Sequence, residues 1–204
     1  MRNRFLMPNL IFVFFILSNI GIIHVMGESA MQSVKGKKAV MIIASNNFRD
    51  EELLKPREVL EKHGVAVTVA SSSLKESTGM LGAKITPDIL FSTINVADYD
   101  AVIFVGGSGA SEYWDNPTAH KIANDANNAK KIVGAICIAP VTLAKAGLLK
   151  NKQATTYSST INDIKSTGAK YTGADVERDG NIITASGPAA AQQFGEAIVK
   201  ALGQ

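Results

Sequence analysis

Cys137, the single cysteine of the chain, stands where an apolar, β-prone run turns abruptly into a helical pattern. Ile132-Val133-Gly134-Ala135-Ile136 leads to it, and Ile138, Ala139 and Pro140 follow. A nucleophile at such a strand-to-helix elbow projects from the top of a sheet. Helix N–H groups and the helix dipole favour a thiolate there, so the thiol is expected to fall from about 8.5 to near or below neutral. Gly134, Ala135 and Ala139 permit close backbone approach, and Pro140 suits a first helical turn, where its missing N–H costs nothing. A free cysteine in an apolar run also packs as an inert small hydrophobe. Two companions separate these readings.

The first is Glu52, in Phe48-Arg49-Asp50-Glu51-Glu52-Leu53, an acidic first helical turn. Complementing the helix dipole accounts for Asp50 and Glu51. Glu52 is followed at once by Leu53 and Leu54, and is expected to point inward over the sheet edge. A carboxyl desolvated beside Cys137 has a raised pKa and can hydrogen-bond the sulfur or move a proton. The second companion is Gly106-Gly107-Ser108-Gly109, directly after a buried run. Backbone N–H groups there, with that of Ile138, can hold an oxyanion, and Gly106 and Ser108 are candidates to line a substrate pocket with Tyr157. The turn lacks Gly-Lys-Ser/Thr and a Gly-x-x-Gly frame, so it is not a nucleotide loop, and no cofactor is expected. No His, Cys and carboxylate set has ligand spacing, so no metal is expected either.

The elements that must position these residues alternate between strand and helix. Strands are expected at 38–44, 65–70, 101–105 and 131–136, and helices at 50–63, 117–129, 140–149, 160–167 and 188–202. Residues 71–82 read as loop or short hairpin, and 154–157 as a short strand. Residues 176–178 and 182–185 flank Asp179-Gly180-Asn181 and read as a β-hairpin. This alternation implies an α/β domain with a mostly parallel sheet and helices on both faces. Ligands bind beyond the carboxyl ends of such strands, where Cys137, the glycine turn and the loop after Ala44 all fall.

Hydrophobic residues form 46% of the 204 residues and charged residues 19%, enough apolar material for one packed domain. The net charge of +3 is spread without a basic stripe, which argues against nucleic acid. Arg2 and Arg4 precede an apolar run from Leu10 to Leu17, the pattern of an export signal over residues 1–27. Residues 28–37, with Lys35 and Lys37, then read as a solvated linker, and 38–204 as the domain. The expected location is periplasmic or extracellular. An uncleaved segment would instead anchor the chain in the membrane, and a start at Met31 would leave it cytoplasmic.

Taken together, the segments resemble the DJ-1/PfpI superfamily, the cysteine-elbow branch of the class I glutamine-amidotransferase-like fold. The likeness runs from about Lys37 to Leu202 through Glu52 and Pro56, Val105-Gly106-Gly107, Ala135-Ile136-Cys137-Ile138-Ala139-Pro140, Thr155-Thr156-Tyr157, and Asp179-Gly180-Asn181 to Gly187-Pro188. It implies a flavodoxin-like three-layer sandwich, a homodimer, Cys137 as the reactive residue, Glu52 as its carboxyl partner, and the amides of Gly107 and Ile138 as the oxyanion site. Protease-like members carry His directly after the cysteine, where this chain has Ile138, and deglycase-like members often have His where it has Tyr157. His24, His63 and His120 do not fill the gap by position, and Glu112 lies near, but one residue off, the place of the protease-type acid. The first expectation is therefore a glyoxalase or deglycase acting on small reactive carbonyls or glycated adducts. The alternatives are a redox-sensing protective protein whose Cys137 oxidises to sulfinate, and a cysteine peptidase or amidase.

Overall fold

The computed structural model describes residue 1 and residues 34–204. The expected signal or anchor and the alternative start at Met31 concern residues 2–33, which lie outside the described residues. Residues 34–37, read as linker, join the core: Val34 is buried, and Gly36 N–H donates to Gly64 O at 3.0 Å.

The main chain runs through β1 (Lys38–Ile43), α1 (Asp50–Lys62) and β2 (Ala66–Ser71). A small antiparallel pair, β3 (Ser77–Thr78) and β4 (Lys84–Ile85), follows, and β5 (Ile89–Leu90) closes one edge of the main sheet. Next come β6 (Ala101–Phe104), α2 (Pro117–Asn128), β7 (Ile132–Ile136) and α3 (Pro140–Lys145). The last third holds β8 (Gln153–Ala154), α4 (Ile161–Ser166), β9 (Lys170–Tyr171), the hairpin β10 (Val176–Asp179) and β11 (Ile182–Ala185), and α5 (Ala191–Leu202). The seven-stranded sheet has the order β10-β11-β7-β6-β1-β2-β5, parallel except for β10.

β6 and β7 are buried at every position and β1 at all but its first, which is why these strands read as unbroken apolar runs. Alternate residues serve opposite faces. Val40, Ile42, Val102, Phe104 and Val133 meet Ile122, Leu143 and Ile164 from α2, α3 and α4. Met41, Ile43, Ile103 and Ile136 meet Leu53 and Leu60 of α1 and Phe194 and Ile198 of α5. The result is the expected three-layer sandwich. α1 and α5 touch so closely that a Cβ on Gly195 would fall 2.9 Å from Pro56 Cα.

Some boundaries differ from expectation. The helix expected over 140–149 stops at Lys145, and Gly147 then turns the chain at φ +82°. Of the strand expected at 154–157 only Ala154 joins a ladder, with Gln153 before it, because Thr156 and Tyr157 instead bond the Cys137 turn. β5 gives no pattern in sequence because it has only two residues. Its neighbour Asp88 secures that edge by accepting Val69 N–H at 2.7 Å.

The order places β1, β6 and β7 side by side. From β1 the chain builds outward to β2 and β5, then returns to β6 on the other side of β1. The carboxyl ends of β1 and β6 flank this switch in direction, and loops diverge there to leave a crevice.

Candidate active site

Cys137 follows β7 and adopts φ +63°, a left-handed conformation costly for a side chain bearing Cβ. The surroundings hold it there. Its N–H donates to Ala185 O at 2.9 Å, and its carbonyl accepts from Tyr157 N–H at 2.9 Å and Thr156 Oγ1 at 2.8 Å. Thr156 Oγ1 also lies 2.7 Å from Thr160 Oγ1. A non-glycine residue over-determined in this way is a feature of functional turns.

Glu52 enters from α1, whose first turn stands at the carboxyl end of β1, and its side chain is fully buried. Gly106 lies between acid and thiol. A Cβ there would fall 2.3 Å from Glu52 Oε2 and 2.5 Å from Cys137 Cβ, so only glycine lets the two side chains meet. Gly107, at φ +101°, is equally constrained, with Arg49 N only 2.3 Å from any added Cβ. Arg49 N–H donates to Gly106 O at 2.9 Å, fastening the start of α1 to the glycine turn.

Burial first of all pushes Glu52 up to about 8. The Cys137 thiol, the Arg49 charge and the Gly106 N–H draw it back, while Glu51 adds to the rise. Neither carboxyl oxygen has a hydrogen bond of good geometry among the described residues, consistent with an acid held neutral by desolvation. Cys137 moves the same way. Burial, then the charge of Glu52, pushes its thiol up to about 12, against the pull of the Gly107 and Ile138 amides.

The lowered thiol pKa expected from the helix dipole is therefore overturned. The sulfur-bearing residue is only 8% exposed, and α3, the helix beyond it, has six residues and a correspondingly small dipole. At neutral pH acid and thiol both hold their protons. The acid gives up its proton first, and its charge then opposes ionisation of the thiol, while the two amides favour the thiolate.

The pair opens into a cleft of about 470 Å³. Of the residues singled out in the sequence, Glu52, Cys137, Gly107, Ile138, Ser108 and Tyr157 line it; Gly106, expected there too, does not, because it is packed between Glu52 and Cys137. Among the described residues histidine is elsewhere: His63 Nδ1 bonds Val59 O at 2.8 Å, and His120 Nε2 bonds Trp114 O at 2.7 Å. Glu112 is bound by Ser45 and Ser72, with its closest contact, Ser72 Oγ, at 2.9 Å, and is not part of the cleft wall.

Arg49, Met80 and Trp114 also line the cleft, and sequence reasoning did not identify them. Glu51 holds Arg49 through Nε at 2.7 Å and Nη2 at 3.1 Å. Asp50 does more than complement the helix dipole. It accepts Leu81 N–H at 2.8 Å and Ala83 N–H at 2.7 Å, pinning the loop that carries Met80 to the cleft edge. The Gly79-Met80-Leu81-Gly82 turn was the only available signal for that clamp.

The model of the DJ-1/PfpI family matches residues 37–201. An uncharacterised protein of Methanocaldococcus jannaschii is 42% identical over 174 residues, covering 84% of this chain and 85% of its own. A deglycase of Pyrococcus horikoshii is 31% identical over 150 residues, or 74% and 90% of the two chains. Among solved structures, the ThiJ/PfpI domain protein of Brachyspira murdochii superposes with a TM-score of 0.80 at 30% identity, covering 82% of this chain and 97% of that one.

Proposed function

The chain belongs to the DJ-1/PfpI family, and from that premise we propose that it is a cysteine-dependent glyoxalase or deglycase acting on small reactive carbonyls or their adducts. One observation carries the reading: Cys137 meets a neutral, buried Glu52 rather than an imidazole, at the floor of an open cleft. A carboxylic acid can accept a proton on one oxygen while giving one from the other. It thus suits additions in which a proton moves from sulfur to oxygen with no net change at the acid. The Pyrococcus horikoshii relative is named a deglycase, in keeping with this chemistry.

With a 2-oxoaldehyde, Sγ bonds to the aldehyde carbon while Glu52 relays the thiol proton to the carbonyl oxygen. The amides of Gly107 and Ile138 hold the negative charge that develops on that oxygen. Glu52 then takes the proton of the first carbon while giving its own to the second oxygen, forming an enediol. It next takes the proton of the first hydroxyl while giving one to the second carbon, which yields the 2-hydroxy thioester. Water cleaves the thioester, releasing the hydroxy acid and restoring the thiol, so that oxoaldehyde plus water gives hydroxy acid. A homodimer and export belong to the same proposal, export resting on the N-terminal pattern alone. Purified protein is expected to form lactate from methylglyoxal and Cys137→Ala is not. Absence of lactate, or undiminished activity in the variant, rejects the reading.

The same neutral acid supports a second reading. A sulfinate formed on Cys137 by peroxide would accept the Glu52 proton in a charge-assisted hydrogen bond. Mass spectrometry after mild peroxide is expected to find two added oxygens on Cys137 in the parent and fewer in Glu52→Leu. Equal oxidation of both rejects that role for the acid.

A further inference from the structure

The two amides aimed at the sulfur come from separate segments, Gly107 from the turn after β6 and Ile138 from the turn after β7. Their spacing determines whether both reach one oxyanion, and Trp114 bridges the segments. It caps the short 3-10 turn Ser108–Tyr113 that continues from Gly107, and its own N–H donates to Ser111 O at 3.2 Å. Across the cleft its indole Nε1–H donates to Ile138 O at 3.1 Å. That carbonyl otherwise receives a long 3.3 Å bond from Val141 N–H.

The tryptophan is itself braced. His120 Nε2 lies 2.7 Å from Trp114 O. A carbonyl can only accept, so Nε2 carries the proton. Lys145 Nζ stands 5.8 Å from the centre of the indole ring and is held by Asp115 at 2.8 Å. The ring therefore has a fixed place on the glycine-turn side and a hydrogen bond to the cysteine-turn side.

We propose that Trp114 is a positioning residue that sets the spacing of the Gly107 and Ile138 amides, with His120 steadying it from behind. The proposal rests on the carbonyl-addition reading for its effect on turnover, but its effect on the thiol can be read without any substrate. Trp114→Phe keeps the aromatic wall and removes the N–H. Its kcat for methylglyoxal is expected to fall about 10- to 100-fold, less than the full loss of an oxyanion donor, with KM within about two-fold of the parent. Iodoacetamide is expected to alkylate its Cys137 several-fold more slowly at pH 9, because the Ile138 amide no longer faces the forming thiolate squarely.

His120→Ala and His120→Gln leave the tryptophan in place and guard against a misfolded variant. A smaller fall in kcat is expected in the alanine variant, and recovery in the glutamine variant, whose amide can still donate. An unchanged kcat in a folded Trp114→Phe, or a raised KM with kcat intact, overturns the proposal. Failure of the parent to turn over methylglyoxal rejects the functional reading alone. The alkylation profiles then decide the positioning role: slower labelling in Trp114→Phe supports it, and equal labelling overturns it.

Discussion

Replacing Glu52 by Gln separates two duties that the acid could perform, activating the thiol and moving protons. Above about pH 8 the parent's Glu52 is ionised, and its charge opposes a second negative charge on the sulfur. Two unit charges about 4 Å apart at an effective dielectric of about 20 repel by at most about 4 kcal/mol. Burial, the larger cause of the raised thiol, remains in the variant, so Cys137 should titrate below about 12 yet above an ordinary thiol. A fall of about one unit raises the thiolate fraction at pH 10 about 9-fold. A less basic thiolate is a poorer nucleophile by about 3-fold over that interval, which leaves a net gain of about three-fold in alkylation rate. Turnover should move the other way, falling about 10²- to 10⁴-fold, because an amide cannot relay protons. The assay is iodoacetamide labelling of Cys137, followed by mass, from pH 6 to 10.5, beside lactate formation. Slower labelling of Glu52→Gln than of the parent at pH 10 refutes the reasoning, since the carboxyl would then be helping the sulfur to ionise.

Three further outcomes follow from the same geometry. Between the unfolded carboxyl value of about 4.3 and the folded value of about 8, the folded state holds one more proton than the unfolded state. Stability should therefore fall as pH rises through that window, and Glu52→Gln should be more stable than the parent at pH 7 by up to about 3 kcal/mol, with the gap closing below pH 4 in urea titrations. Turnover of the parent should decline as pH rises through about 8, where Glu52 gives up the proton that it relays. Gly106→Ala should lose about 1–3 kcal/mol of stability in the same titrations and at least about 100-fold in kcat, because its methyl group lands between Glu52 and Cys137.

The strand-to-helix elbow at Cys137 and the Gly106-Gly107 turn are legible in sequence because each rests on a local rule, an abrupt change of period or a backbone that only glycine permits. Asp179-Gly180 marked its hairpin for the same reason, with Gly180 at φ +68°. Glu52 was legible only in part from the apolar residues behind it: Leu53 is buried, whereas Leu54 faces solvent, and the inward face that Glu52 shares runs through Pro56 and Leu60. The direction of the thiol pKa was not legible. Local dipoles can be read from a turn, but the desolvation that outweighs them comes from Glu52 and the walls of the cleft, supplied by distant segments. Arg49, Met80 and Trp114 were missed likewise. Each reaches the cleft from a different loop, and Met80 does so through the clamp made by Asp50.

The contact of α1 with α5 ties the chemistry to the C-terminal helix. Gly195 leaves no gap against Pro56 and Val59, and Pro56 stands one helical turn beyond Glu52. Pro56 also lacks the N–H that would bond the Glu52 carbonyl, so the helix is least stiff where it carries the acid. A single methyl added to Gly195 must therefore press on α1 where it yields most readily, and the carboxyl would shift with it across a floor where tenths of an ångström decide proton transfer. The separation of proton donor and sulfur is thus gauged by the thickness of a helix with no atom in the cleft.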